Sequence, residues 1–167
     1  NVLKKLLHDP STKHRYKDNI ALQKTFKYYE TCMDRDRINS EGSKPLLDVI
    51  ASYYLWNVTG NGTWNASSWD FITTIVDMQR NLSVNPFFRM TVGADYLNST
   101  TNVIMFDQSG LGITKYNYLL NGTDYEKIRQ AYKKMMVDVV ALLGGKGKDV
   151  ERQMMKVYDL ETKIAEV

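Results

Sequence analysis

The sequence predicts a mainly α fold, a helical lobe with one small antiparallel β-hairpin at about residues 88–106. Two observations lead to this. Apolar residues recur at helical spacing before and after the hairpin, and only one stretch alternates with the period of two that is typical of a half-buried strand. With 167 residues, 43% of them hydrophobic and 25% charged, the chain can bury a core and fits one globular domain or part of one.

Three helices are predicted before the hairpin, at residues 19–38, 46–54 and about 70–81. Asp18 is placed to cap the first helix, and Ser40–Gly42 ends it. Pro45 fits the first turn of the second helix because its fixed φ suits that position. Either Ser68 or Asp70 can cap the third.

The hairpin is predicted from two runs of alternating residues joined by a polar turn. The turn is Leu97–Thr100, and the second run is Asn102–Phe106. An isolated two-stranded hairpin is only marginally stable in water, so this hairpin is expected to pack against the flanking helices. In the first run, one face is expected to carry Phe88, Met90, Val92 and Ala94, and the other Arg89, Thr91 and Asp95.

After the hairpin, Asp107–Gly112 is predicted to be a turn, followed by two long helices. Thr123 and Asp124 are placed to cap the first of these, and Gly144 and Gly145 end it. The last helix begins at Asp149. The first helix is expected to bury Ile128, Ala131, Tyr132, Met135, Val139, Leu142 and Leu143, and the last to bury Val150, Met154, Val157, Ile164 and Ala165.

No catalytic residue, cofactor-binding residue or metal ligand is predicted in this sequence. The two histidines, His8 and His14, lie outside any His-Glu-x-x-His pattern and are expected to be exposed. Asp149 follows the Gly-Lys tract where a phosphate-binding loop needs Ser or Thr. The net charge of +3 is interpreted as spread along the chain, which gives no case for a nucleic-acid partner. No apolar run is long enough to span a membrane.

Six Asn-x-Ser/Thr sequons occur, where chance would give roughly 1.6. Together they predict passage through the secretory pathway and a glycosylated, extracellular protein. The predicted glycosylation sites are Asn57, Asn61, Asn65, Asn81, Asn98 and Asn121.

Cys32 is the single cysteine. In an oxidising compartment it suggests a disulfide partner, either on another chain or on a part of this polypeptide outside these residues. A buried free thiol is the alternative. The chain also starts and stops inside helical patterns, so both ends are expected to be cuts.

The order of several short segments resembles the N-terminal part of neprilysin and endothelin-converting-enzyme-like zinc metalloendopeptidases. The likeness covers nearly the whole chain, and the run from Val92 to Gly112 carries most of it. The segments are Tyr28–Met33, Lys44–Leu47, Trp56, Asn85–Phe87, Val92–Asp95 with Asn98-Ser99, Asp107–Gly112 and Met136–Val139. Ile113-Thr114 and Tyr118-Leu119 depart from the family, as does Asn57, which creates a sequon.

The resemblance implies a secreted or type II membrane ectodomain in which two helical lobes enclose a cavity that admits peptides. Residues 1–167 would be an incomplete part of a single N-terminal, non-catalytic lobe that covers this cavity and limits substrate size. Zinc is implied for the complete enzyme, with its ligands in the catalytic half of the same chain, so the region alone should be inactive. Cys32 is implied to bond a cysteine further along that chain.

Two other functions remain open on the sequence alone. One is a non-catalytic secreted or membrane glycoprotein ectodomain that keeps the region as a binding surface. The other is a free-standing helical ligand carrier, which is disfavoured because a single cysteine cannot form the internal disulfides on which small secreted carriers rely.

Overall fold

Helices dominate the structure, a computed structural model that describes residues 2–53, 56–59 and 64–167. Within those ranges there are nine α-helices and one two-stranded antiparallel hairpin, which confirms the mainly α prediction. The helices are α1 (Val2–His8), α2 (Pro10–Arg15), α3 (Ile20–Met33), α4 (Arg35–Glu41), α5 (Lys44–Tyr53), α6 (Phe71–Leu82), α7 (Lys115–Leu119), α8 (Thr123–Leu142) and α9 (Lys148–Glu166). The strands are β1 (Phe88–Ala94) and β2 (Asn102–Gln108).

The chain divides into two compact units, residues 1–45 and 46–167. In the first unit, the helix predicted at 19–38 is two helices, because Asp34 ends α3 and caps α4 by accepting a hydrogen bond from the Arg37 amide at 3.0 Å. The cap of α3 is Asn19 rather than the predicted Asp18, with its Oδ1 3.0 Å from the Leu22 amide nitrogen. An Asp inside a helical pattern competes for backbone amides in this way.

In the second unit, α6 is capped by Asp70, which is one of the two residues predicted for that position. Its Oδ1 lies 2.7 Å from the Thr73 amide nitrogen. Between α5 and α6 the chain forms a short 3-10 turn at Asn57–Thr59. The polar connection between the strands closes with a hydrogen bond from the Asp95 amide to the Thr101 carbonyl at 2.9 Å.

The hairpin forms where it was predicted, but its apolar face is not half-buried. Met90 lies opposite Phe106 and Val92 opposite Ile104 in the antiparallel register. Val92 is 71% exposed and Phe106 is 67% exposed. The alternating pattern therefore identified a strand correctly and its burial wrongly, since nothing among the described residues covers this face.

The main core lies where α7, α8 and α9 pack together. Its members are mostly aromatic or flexible side chains, which fill the irregular space between crossing helices. The buried cluster consists of Tyr118, Tyr132, Met136, Val140, Val150, Met154, Tyr158 and Ala165.

The predicted buried stripe of α8 is largely wrong. Tyr132 and Leu143 are buried as expected, and Met136 and Val140 complete the buried face. The helix carries two apolar stripes, and helical periodicity alone does not tell which one meets the core. The other predicted members are exposed: Ile128, Ala131, Met135, Val139 and Leu142.

On α9 the prediction holds for most positions. Val150, Met154 and Ala165 are buried, and Ile164 is half-buried, whereas Val157 is exposed. Tyr158 takes the place in the core that was predicted for Val157. Within the described ranges, no helix combines the length and the apolar character that crossing a bilayer requires.

The two stripes of α8 allow a matched test of the core. Met136 is 9% exposed and its neighbour Met135 is 51% exposed. We expect Met136→Ala to lower the free energy of unfolding of the 167-residue chain by about 2–5 kcal/mol, because it leaves a cavity. Met135→Ala should cost less than about 1 kcal/mol. Urea denaturation measures both, and a larger loss for Met135→Ala would contradict the assignment.

Candidate functional site

The loop between β2 and α7 is held by two close backbone contacts at glycines. A Cβ on Gly110, whose φ is +92°, would lie 1.8 Å from the Pro86 carbonyl oxygen. A Cβ on Gly112 would lie 1.8 Å from the Tyr132 hydroxyl oxygen. Only glycine allows both approaches, so the loop lies against the chain before β1 on one side and against α8 on the other.

The carboxylate of Glu161 on α9 accepts hydrogen bonds from two neighbouring helices beside this loop. The Tyr132 hydroxyl of α8 donates to it, with oxygen–oxygen distances of 2.9 and 3.0 Å. The Tyr118 hydroxyl of α7 also donates to it, at 2.9 Å, and accepts a bond from the Ile113 amide at 3.3 Å. One half-buried carboxylate thus connects three helices and the loop.

The environment of the two hydroxyls keeps them protonated. Burial, and then the hydrogen bond to Glu161, raise the pKa of Tyr118 to about 12. The pKa of Tyr132 is raised for the same two reasons. Both effects favour the neutral hydroxyl, which is the form that can donate to a carboxylate. Both rings also make tilted contacts with Tyr158, whose centroid lies 5.5 Å from that of Tyr118 and 6.4 Å from that of Tyr132.

A cavity of about 500 Å³ lies beside this cluster. Its lining, taken over the described residues, includes Lys115 and no imidazole, thiol or side-chain carboxylate. The lining residues are Phe87, Gln108, Ser109, Gly110, Leu111, Ile113, Thr114, Lys115, Ile164, Ala165 and Val167.

The structure does not bring the sequence-predicted site residues together. Five of the six sequon asparagines are exposed, and Asn61 falls outside the described residues. Two of the five lie in the connection between α5 and α6, and the other three lie apart from it: Asn57 and Asn65, then Asn81, Asn98 and Asn121. The Asn98 side chain accepts a hydrogen bond from the Thr100 hydroxyl at 2.7 Å, and the Asn65 side chain accepts one from the Ser67 hydroxyl at 2.8 Å.

Cys32 is a free, exposed thiol on α3, so the alternative of a buried thiol is wrong. His8 and His14 are exposed, as predicted, and His8 makes an edge contact with Tyr29 at 5.2 Å between ring centroids. Over residues 2–53, 56–59 and 64–167, no group of three His, Cys, Asp or Glu side chains is placed to hold a metal ion. The side chains present therefore do not fit a metal site.

The hydrogen-bonded cluster of Tyr118, Tyr132 and Glu161 was missed by sequence reasoning, which placed only Tyr132 in the core. A signal was available. A buried tyrosine needs a partner for its hydroxyl, and Glu161 lies seven residues after Met154 and four before Ala165, on the buried face of α9. The partner's position on another helix is what spacing alone does not give.

The described residues thus form a helical region with one hairpin and a hydrogen-bonded cluster of two tyrosines and a glutamate. The chain belongs to peptidase family M13, whose sequence pattern matches residues 1–167.

Individual relatives agree with the family. The chain is 38% identical over 148 residues to endothelin-converting enzyme 1 of Homo sapiens, which covers 88% of this chain and 19% of that protein. It is 32% identical over 167 residues to an endothelin-converting enzyme homolog of Locusta migratoria, covering 99% and 22%. It is 31% identical over 168 residues to neprilysin-3 of Drosophila melanogaster, covering 99% and 21%. The chain thus spans about a fifth of the length of these relatives.

The hydroxyl of Tyr132 can be tested by Tyr132→Phe, which keeps the ring and removes the donor to Glu161. We expect the free energy of unfolding at pH 7 to fall by about 1–3 kcal/mol, because a bond to a charged group is lost in a half-buried place. The matched control is Tyr116→Phe, at a tyrosine that is 66% exposed, and it should change stability by less than about 0.5 kcal/mol.

The pH dependence distinguishes the hydrogen bond from ring packing. Because the two tyrosines bind their protons more tightly in the folded protein, their contribution is present below about pH 10 and is lost as the pH rises towards 12. Tyr132→Phe should lose less stability over that interval than the unchanged chain. Equal losses in both, measured by urea denaturation at each pH, would count against the cluster.

Proposed function

We propose that this region is a non-catalytic part of a zinc metalloendopeptidase that hydrolyses peptides. In this proposal it forms part of the helical lobe that covers the active-site cavity, limits substrate size and supports the catalytic half of the same chain. Membership of peptidase family M13 supports the peptidase assignment. A structural role is supported by the cluster of Tyr118, Tyr132 and Glu161, since its hydrogen bonds join three helices and a loop.

The observation that carries the proposal is the apolar surface that the second unit leaves exposed. On α8, Met135 is 51% exposed and Leu142 is 75% exposed, and on the hairpin Val92 is 71% exposed. Exposed apolar stripes of this kind on a helix and a hairpin mark interaction surfaces, because removing apolar surface from water is favourable. The relatives are about five times longer than this chain, so a longer polypeptide supplies ample surface to cover these stripes.

Zinc would be held by residues outside this region, because the described side chains do not fit a metal site. Zinc in such an enzyme polarises the substrate carbonyl and activates a water molecule. In this proposal the region forms part of the helical boundary of the active-site cavity, and its buried tyrosines hold these helices together.

The sequons and Cys32 support an extracellular compartment. The five described sequon asparagines are exposed, which agrees with glycosylation in a secreted protein or a membrane-anchored ectodomain. Cys32 is exposed on α3, where a cysteine from another part of the polypeptide can reach it. We therefore propose an extracellular location and a disulfide from Cys32 to a residue outside this region.

The enzymatic part is tested with the complete polypeptide to which this region belongs. We expect it to cleave peptides, to lose that activity in the presence of a metal chelator and to regain it on addition of zinc. The 167-residue chain alone should show neither activity nor stoichiometric zinc binding. A complete polypeptide without chelator-sensitive peptidase activity would favour the alternative, a non-catalytic glycoprotein ectodomain.

The use of the sequons is tested by glycosylation. Expressed with a secretion signal in animal cells, the region should migrate more slowly on a gel than after enzymatic removal of N-linked glycans. Asn81→Gln and Asn121→Gln should each remove one glycan from the mass spectrum, whereas Asn85→Gln, at an asparagine outside any sequon, should remove none. An unglycosylated secreted protein would contradict the proposal.

A further inference from the structure

The positive charge of the chain is concentrated in its first unit. Residues 1–45 hold ten Lys and Arg against six Asp and Glu, a net charge of +4, whereas residues 46–167 carry −1. The interpretation that the net charge is spread along the chain is therefore wrong. The excess lies largely before and on α3, which is the longest helix of this unit.

The outer face of α3 presents part of this charge as a stripe. Phe26 is buried at 4% exposure and fixes which side of the helix faces inward. The opposite side forms a shallow groove lined by Lys17, Ile20, Gln23, Lys24, Lys27, Tyr28 and Thr31, named here the α3 stripe. Positions 20, 24, 27, 28 and 31 fall on one face of a helix with 3.6 residues per turn.

The three lysines of the stripe are available to a partner. Lys17, Lys24 and Lys27 are exposed, and none of them forms an ion pair with another described residue. The nearest acid on the same helix, Glu30, is bound by Lys13 instead. The three ammonium groups are thus free of ion pairs among the described residues, although Asp18 and Glu30 lie near them in the sequence.

Two exposed apolar side chains lie among the lysines. Ile20 is 73% exposed and Tyr28 is 75% exposed. They give the stripe surfaces that can contact the carbon–hydrogen faces of sugar rings, but they are too few to anchor a helix in a lipid bilayer, which needs a continuous apolar face. Because α3 rises roughly 1.5 Å per residue, its 14 residues extend about 21 Å, enough for a linear polymer to follow.

The position of the sequons agrees with an open surface here. All six lie between Asn57 and Thr123, so none falls in the first 56 residues. Glycans would therefore crowd the second unit and leave α3 without a sugar of its own. An extracellular protein with such a surface meets sulfated polysaccharides as its main linear polyanions.

We propose that the α3 stripe binds sulfated polysaccharide. The charge of the stripe complements the sulfate groups, the lysines act as point charges that tolerate variable sulfate positions, and the ligand is held by electrostatic contacts that weaken with salt. This inference rests on the extracellular location proposed above and is independent of the peptidase activity.

The experiment uses the complete polypeptide and immobilised heparin as the probe. The variant Lys17→Gln/Lys24→Gln/Lys27→Gln should elute at clearly lower salt than the unchanged protein. Its affinity for heparin should be about tenfold lower. The matched control, Lys146→Gln/Lys156→Gln/Lys163→Gln, removes the same charge from exposed lysines of the second unit and should elute close to the unchanged protein.

Three further controls test whether charge, sulfation and the type of ligand determine the binding. Lys17→Arg/Lys24→Arg/Lys27→Arg should retain binding, because it keeps the charge. Unsulfated heparosan should not bind, and neither should phosphatidylserine vesicles. Equal elution of both glutamine variants, loss of binding in the arginine variant, binding of vesicles without heparin, or no binding of the complete polypeptide would each overturn the proposal. Peptidase activity, measured on the same preparations, reports separately on the proposed enzyme.

Discussion

The second unit depends on one shared carboxylate. Glu161 accepts hydrogen bonds from Tyr118 and Tyr132 and so joins α7, α8 and α9 at a point where the loop before α7 also binds, through the Ile113 amide that donates to Tyr118. Replacing any of these partners leaves a polar group in a half-buried place without its bond, which costs more than the bond itself is worth. The shape of the loop at Gly112 follows from this cluster, because the Tyr132 hydroxyl occupies the space that a side chain there would need.

The rigidity of this cluster contrasts with the apolar surface that surrounds it. The same α8 that buries Met136 exposes Met135, and the hairpin exposes Val92 and Phe106. A helix with two apolar stripes is ordinarily buried on both sides. Membership of peptidase family M13, with relatives about five times longer, supports our proposal that these stripes pack against other parts of a longer polypeptide.

Much of the fold could be predicted because it depends on local rules. Asp70 caps its helix, Pro45 opens another and the alternation around Met90 marks a strand, since each effect acts within a few residues. What failed was the choice between alternatives that only packing decides. The stripe of Met135 and the stripe of Met136 have equal periodicity, and the alternation that marks a strand does not tell whether another element covers its apolar face.

We propose that the exposed stripes are covered in the complete protein, and methionine oxidation tests this proposal directly. Met90 and Met135 are 54% and 51% exposed, so dilute peroxide should oxidise both quickly in the 167-residue chain while Met136 stays slow. In the complete polypeptide the account predicts that Met90 and Met135 become as slow as Met136, as followed by peptide mass spectrometry. Unchanged fast oxidation of both in the complete polypeptide would contradict it.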